Sequence, residues 1–318
     1  MIKEVGRYPV EVWQLGRSKK PKLLQIETEI YGKLWAPENL VEFTNLIADL
    51  TTVAGSRVAW RGQSYIDWPV HSSAIRRILK YGWTPMNYAG LNERYSPIPY
   101  KGEVLAECLY EYEESLLHEA RLRGHDYQMG KRLTDLELLA VLQHFGAATR
   151  LLDFSKNAFV ALWFACYDHP EEYGIVFFGR MHTIHEKAHW INNSEDIKLP
   201  ISDLLKKYGS RVLIWEPVHL FQRMKVQQGV FAFGEPVAKE WGSFPVNEVR
   251  GVARGSSDVI PGLIPIAISP SLKEEMKEYW GSIFGYDSAS LFPELDGFSG
   301  YHGPESEFES YFGDREEW

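Results

Sequence analysis

Cysteine is nearly absent: 318 residues hold two, Cys108 and Cys166. They are far apart and form no C-x-x-C pair, which argues against a disulfide scaffold or a cysteine-rich zinc module and suits a reducing compartment. No apolar run approaches the roughly 18 residues a membrane-spanning helix needs, and the longest, Phe159 to Cys166, reads as a buried helix. The first residues, MIKEVGRYPVEVW, contain no segment of signal-peptide kind, and neither end carries a lipidation motif. Positive charge is in deficit, with 34 Lys and Arg against 43 Asp and Glu and a formal net charge of -9. That excludes a globally basic nucleic-acid or membrane-surface protein, while leaving room for a local basic patch. Internal repeats and glycine-rich phosphate loops are missing as well. A soluble, cytoplasmic protein is expected, and its 45% hydrophobic and 14% aromatic content rules out a disordered chain.

Periodicity sets out the elements. Leu40, Phe43, Leu46, Ile47 and Leu50 share one helical face from Asn39 to Leu50. A strand, Arg57 to Trp60, is expected to end at Arg61-Gly62-Gln63, with Gly62 breaking it and letting the backbone approach a ligand. Residues 81–101 read as a loop or lid, and Glu103 to Arg123 as an acidic amphipathic helix. The helix Leu136 to His144 stops at Phe145-Gly146, where glycine suits the C-cap. Thr149 to Ser155 reads as a buried strand, and Asn157 as N-cap of the helix Ala158–Tyr167. Strands follow at Gly174–Phe178, Arg211–Glu216 and Gly229–Phe233, with Arg180 to Lys207 polar and helical. Short strands irregularly mixed with helices predict an α+β fold rather than a doubly wound sheet.

Three segments gather polar residues against this core. In the first, Trp60-Arg61-Gly62-Gln63 with Arg76 beyond it, an arginine beside a glycine makes a fork for phosphate or carboxylate, or else closes an ion pair. In the second, Gln143-His144-Phe145-Gly146 through Arg150, Asp153, Phe154, Ser155 and Asn157, polar groups so near a core must be hydrogen-bonded or functional. A structural Arg150–Asp153 pair with Asn157 as a cap would explain them equally well. The third, Arg223-Met-Lys-Val-Gln227-Gln228-Gly229, could hold a polar ligand or finish a turn.

Together WRGQS, DWPV and IRR, then LQHFGAATRLLDFSKNAFVALWFAC, then RMKVQQGVF, with SLFPELDG at Ser290–Gly297, resemble the FRG domain over roughly residues 40–300. The resemblance implies a leader (1–38), an FRG domain (39–298) and an acidic aromatic tail (299–318). It also implies a layout similar to ADP-ribosyltransferases, a split sheet with flanking helices. On that likeness Arg61, Ser155 and Gln227 match three catalytic motifs, with NAD as substrate. Trp60, Gly62, Gln63, Arg76, His144, Arg150, Asp153, Phe154 and Asn157 would line its site. Cleavage of the nicotinamide–ribose bond is oxocarbenium-like, so it needs an anchored pyrophosphate, a stacked nicotinamide (on Phe154 or Trp60) and stabilisation of the ribosyl cation. Gln227 is neutral where those enzymes carry a carboxylate, so Glu216, Glu235 or Asp153 would have to supply the charge. The implied function is an ADP-ribosyltransferase toxin acting on RNA, DNA or protein in a toxin–antitoxin or phage-defence system. The alternative is a non-catalytic module that binds nucleotide or nucleic acid in the same cleft.

Three further signals stand apart. His185-Glu186-Lys187-Ala188-His189 is a formal H-E-x-x-H, which on a helix would place two zinc ligands one turn apart and make a zinc hydrolase, or else is a solvated helix. The tail Tyr301–Trp318 alternates acids and aromatics, as a docking segment for an antitoxin or chaperone would. The leader's Arg17–Lys22 is a weak nucleic-acid footprint.

Overall fold

The computed structural model describes residues 2–9, 22–54, 58–82, 102–128, 130–180, 188–217, 220–246, 248–249, 251, 262–295 and 299. In chain order the first elements are β1 (Lys3–Pro9), β2 (Lys22–Thr28), β3 (Gly32–Ala36), α1 (Leu40–Ala54), β4 (Val58–Gln63), α2 (Ser73–Tyr81) and α3 (Gly102–Leu122). A two-residue hairpin, β5 (Tyr127–Gln128) and β6 (Lys131–Arg132), precedes α4 (Asp135–His144), β7 (Leu152–Ser155), α5 (Ala158–Cys166) and β8 (Gly174–Arg180). Then come β9 (Ala188–Ile191), α6 (Ser194–Lys198), α7 (Ile201–Tyr208), β10 (Val212–Trp215), α8 (Gln222–Val226) and β11 (Gly229–Phe233). Finally, β12 (Leu263–Ile268) leads to α9 (Pro270–Tyr279), a π-helical turn (Trp280–Phe284) and α10 (Ser288–Leu291).

Among the described residues ten strands form one sheet in the order β1-β2-β3-β12-β8-β4-β7-β11-β10-β9. Pairing is antiparallel except for β12 with β3 and β10 with β9, which are parallel. The fold is a mixed α+β one, a large sheet flanked by helices. The stretch expected as a leader supplies β1, β2 and β3 to this same sheet.

Side chains alternate across a strand, so each face gathers its own core. One face joins Ala59, Leu152, Phe154, Phe177, Val230 and Ile214 to Phe244. The opposite face is covered by two separate helical layers. Trp60, Val176, Phe178 and Ile266 pack under α1, α5 and α9, and Leu213, Trp215, Phe231 and Phe233 pack under α4 and α7. The seam between the layers runs over β7, which sits between β4 and β11. There β7 presents polar Asp153 and Ser155 in place of apolar side chains.

The helix expectations hold where caps and periodicity agree. Asn157 Oδ1 accepts from Phe159 N at 2.9 Å and starts α5. Thr134 and Glu137 form a reciprocal capping box on α4, and Gly146 follows its end at φ 88°. Two expectations fail. Gly62 does not break β4, which ends at Gln63 and pairs with β8 along its whole length. The region expected to be helical from Arg180 to Lys207 contains a strand, β9, paired with β10. Residues 83–101 of the expected lid, Arg17–Lys20 and residues 300–318 of the tail lie outside the described residues.

Candidate functional site

β4 and β7 are neighbours in the sheet, yet they pair at one position, Trp60 with Ser155. Beyond that bridge the strands splay, and backbone groups that a ladder would pair are left to other partners. Arg61, the next residue on β4, spans the gap: its Nη1 donates to the Asp153 carbonyl at 2.7 Å. A cleft of about 270 Å³ opens there, near the lower end of the roughly 300–1,000 Å³ typical of ligand sites. Its polar lining comes from Arg61, Asp153, Ser155, Arg223 and Gln227, and its apolar wall from Val160, Ala161 and Phe164 of α5 with Phe292 after α10.

Arg61 is the group in this cleft with the least support. Burial lowers its pKa to about 10, Asp153 opposes that shift and neighbouring Arg76 adds to it. It stays cationic at neutral pH, and its buried Nε has no hydrogen-bond partner among the described residues. Arg76 is itself lowered by burial, with Asp153 opposing; its Nη1 holds the His71 carbonyl at 3.0 Å. His71 is pushed down to about 4 by burial and by Arg76. Two arginines therefore share one exposed carboxylate, Asp153. Excess positive charge in a desolvated place is what an anionic ligand would balance.

Asp153 is held in place from the second motif segment. Its Oδ2 accepts from Gln143 Nε2 at 2.9 Å, and the Gln143 carbonyl in turn accepts from the Thr149 hydroxyl. Gln143 opens the second candidate segment but was not assigned to the NAD site, and Phe164 was not singled out at all. Phe164 lies one turn from Val160 and Ala161, so the spacing that buries α5 also aims it at the seam.

The remaining expected residues divide. Ser155 and Gln227 reach the cleft but are engaged in building it. Ser155 Oγ donates to the Gln227 carbonyl at 2.6 Å and accepts from Asn157 N at 2.9 Å. Gln227 ends α8, and its Nε2 donates to the Leu291 carbonyl at 2.9 Å, tying down the segment that carries Phe292. Gln228 accepts a left-handed φ of 49° to turn into β11. Gly62 lines the cleft for a different reason from the one expected: a Cβ there would sit 1.8 Å from the Ala161 carbonyl, so glycine admits α5 rather than a ligand. Trp60 and Phe154 are core residues, packed on Phe178 at 4.8 Å and Phe244 at 5.6 Å. A ring stacked on a ligand must instead come from Phe164 or Phe292, which meet edge-on at 6.1 Å.

Gln63, Arg76, His144, Arg150 and Asn157 do not line the cleft. Gln63 is buried and donates to the Trp68 carbonyl at 2.9 Å. His144 stacks on Phe221 at 4.0 Å with Nε2 3.7 Å from Glu294, whose other oxygen accepts from Arg223 N. Arg150 pairs with Glu113, not with Asp153: Nε donates to Glu113 Oε2 at 2.5 Å, and the guanidinium covers the Tyr110 ring. Asn157 caps α5 and donates to the Tyr286 hydroxyl at 3.0 Å. Of the candidate carboxylates, Glu216 is paired with Lys156 at 2.6 Å and Glu235 accepts from Tyr110, so Asp153 alone of the three lines the cleft. The zinc reading loses its helix. His185 and Glu186 lie outside the described residues, and His189 sits on β9, stacked on Tyr208 at 4.1 Å.

No curated protein and no solved structure matches this chain. The FRG domain family model matches residues 56–173, which supply Arg61, Gln143, Asp153, Ser155 and Phe164 to the cleft and its support, while Arg223, Gln227 and Phe292 come from beyond it. The FRG resemblance is borne out over residues 56–173.

Proposed function

We propose that the cleft between β4 and β7 binds NAD and that the protein transfers its ADP-ribose to a cellular macromolecule. The observation that carries this reading is Arg61, a desolvated guanidinium at the splay with an unpartnered Nε, beside Arg76 and facing an aromatic wall. A guanidinium fork suits a pyrophosphate oxygen pair, and the Phe164–Phe292 corner suits a flat ring. The cleft's volume accommodates one half of a dinucleotide, with the other half following the seam outward.

In the reaction the bond between nicotinamide N1 and ribose C1′ breaks and its electron pair leaves with nicotinamide. The oxocarbenium ion left behind is captured by a nucleophile of the acceptor, which gives up its proton. Asp153 is the cleft's carboxylate for that cation, held by Gln143 so that Oδ1 remains to face it. Ser155 and Gln227 act by holding the walls. Modification of RNA, DNA or protein in this way would arrest growth, the setting of a toxin or a phage-defence effector.

A specific observation favours a second reading, a nucleotide-binding module without turnover. The side chains that match the second and third transferase motifs, Ser155 and Gln227, are both engaged in internal hydrogen bonds. Incubation of wild type and Arg61→Lys with NAD labelled in its adenylate half, followed by separation of protein, RNA and DNA, distinguishes the two. Label in one fraction with nicotinamide released, both lost in Arg61→Lys, is the transferase result. Thermal protection by NAD without label or nicotinamide is the binding-module result, and neither protection nor label would dismiss the cleft as an NAD site.

A further inference from the structure

Past the end of β4 lies a second constellation, made of residues that do not line the cleft. Tyr65, Trp68 and His169 bring three rings together from two loops. Tyr65 meets Trp68 at 5.9 Å and 70°, Tyr65 meets His169 at 5.5 Å and 45°, and Trp68 meets His169 at 5.4 Å and 84°. Trp68 is 45% exposed, which is unusual for so large an apolar ring on a built surface.

The loops beneath are pinned. Lys273 is buried, and its ammonium donates to the carbonyls of Ser64 at 2.7 Å, Asp168 at 3.1 Å and His169 at 2.9 Å. Ile66 N bonds the Tyr173 carbonyl, and the Trp68 carbonyl takes bonds from Gln63 and Tyr31. Held this way, His169 adopts a left-handed φ of 52°, an uncommon conformation for a residue with a Cβ. A buried ammonium and a strained histidine thus fix three rings that contribute little to the core.

The rim is acidic. Asp67 and, more weakly, Glu172 stand near enough for their charge to act on the Tyr65 hydroxyl. Asp168 Oδ2 stands 3.7 Å from His169 Nε2. Of the nearby cations, Lys273 is buried on its three carbonyls, and Lys277 is paired with Glu274 at 2.5 Å while also feeling Glu171. Exposed ring faces beside carboxylates attract a cation. The three rings lean on one another, so they leave no enclosed space in which a compact quaternary ammonium could be surrounded. A flat guanidinium can lie on the exposed Trp68 face and direct its N–H groups at the carboxylates.

We infer that Tyr65, Trp68 and His169, with Asp67, Asp168 and Glu172, form a docking site for an arginine side chain presented by a basic segment of a partner protein. The test uses the full chain and two probes of equal charge, the peptides Gly-Arg-Gly-Arg-Gly and Gly-Lys-Gly-Lys-Gly, with tetramethylammonium as a third. Binding is followed by calorimetry and by the indole N–H resonance of Trp68, assigned through Trp68→Phe. The arginine peptide should move that resonance saturably and bind more tightly than the lysine peptide. Trp68→Ala should weaken it about two- to fivefold, the range for one exposed cation–ring contact. The Trp68 carbonyl that anchors the loop survives that change, and Asp67→Asn with Asp168→Asn should flatten the salt dependence. An unmoved resonance, equal binding of the two peptides, tetramethylammonium as effective as arginine, or undiminished binding in Trp68→Ala would each overturn the assignment.

Discussion

Arg61 lies on β4 and Arg150 just before β7, its neighbour in the sheet; the Arg150 guanidinium is fully buried and that of Arg61 is partly withdrawn from water. Their surroundings differ in one respect. Arg150 has Glu113 against it, Tyr110 beneath it and Glu235 nearby; burial opposes its charge, but Glu113, Tyr110 and Glu235 together outweigh burial and raise its pKa. Arg61 has one backbone carbonyl, a more distant Asp153 and a second arginine that pushes the other way, and its pKa falls. Burial therefore does not mark a binding residue. A buried charge left short of a partner does, because the missing interaction is one that a ligand can supply.

The largest effect expected from this contrast is at Arg150. Arg150→Ala leaves Glu113 buried and uncompensated, and should cost about 3–5 kcal/mol in denaturant unfolding. Replacing both partners, Arg150→Met with Glu113→Leu, should restore most of that loss, because neither charge then remains in the core. If the double variant were as unstable as the single one, Arg150 would be doing something besides neutralising Glu113.

The next effect is a pH dependence on the Arg61 side. His71 is held neutral by burial and by Arg76, with a folded pKa near 4 against an ordinary 6.5. The unfolded chain takes up the proton first, so this contribution is complete above pH 6.5 and is lost as pH falls toward 4. The loss amounts to about 3 kcal/mol at its limit. Urea unfolding of wild type and His71→Gln at pH 7 and pH 4.5 measures it, and the variant should be distinctly less acid-sensitive. Equal acid sensitivity would mean that the positive charge around Arg76 is already neutralised by other groups.

How much of this was readable from residues alone follows the locality of the forces. The glycine stop of α4 at Gly146, the Asn157 cap and the apolar face of α1 are set within a few residues, and each was legible. β12 was not. Its run LIPIAI carries Pro265, which argues against a central strand, and it is accommodated because pairing with β3 is confined to Ile266 and Trp35. β9 was hidden by polar neighbours, since its place depends on β10, more than twenty residues away. At the cleft, the sequence segments located Arg61, Asp153, Ser155 and Gln227 together. Which of them bind and which build depended on distant partners such as Leu291 and Ala161, and no spacing rule reveals those.

Ser155 offers a smaller test of the same distinction. Ser155→Ala removes the hydroxyl that joins the Gln227 carbonyl to Asn157 N, leaving two buried backbone groups short of a bond. The cost should be about 1–3 kcal/mol in thermal or urea unfolding. Ligand affinity per folded molecule should change less than stability does. A Ser155→Ala protein of normal stability that no longer bound ligand would reverse the division between wall and binding group.

The smallest change in stability belongs to Arg61, and it is the most informative. Arg61→Ala loses one hydrogen bond to the Asp153 carbonyl but also removes a desolvated charge that Arg76 repels. These terms oppose each other, so unfolding should shift by about 1 kcal/mol or less. Arg61→Lys keeps a charge without the fork, and it should remain folded while losing the bidentate grip on an anion. Titration with pyrophosphate, the anionic part of the proposed ligand, separates the outcomes. Both variants should stay folded and bind at least about tenfold more weakly than wild type, since a charge-assisted hydrogen bond contributes about 1.5–3 kcal/mol. If Arg61→Ala instead destabilised the chain as severely as Arg150→Ala, its buried Nε would belong to the architecture, and the cleft would lose the one group whose isolation points to a ligand.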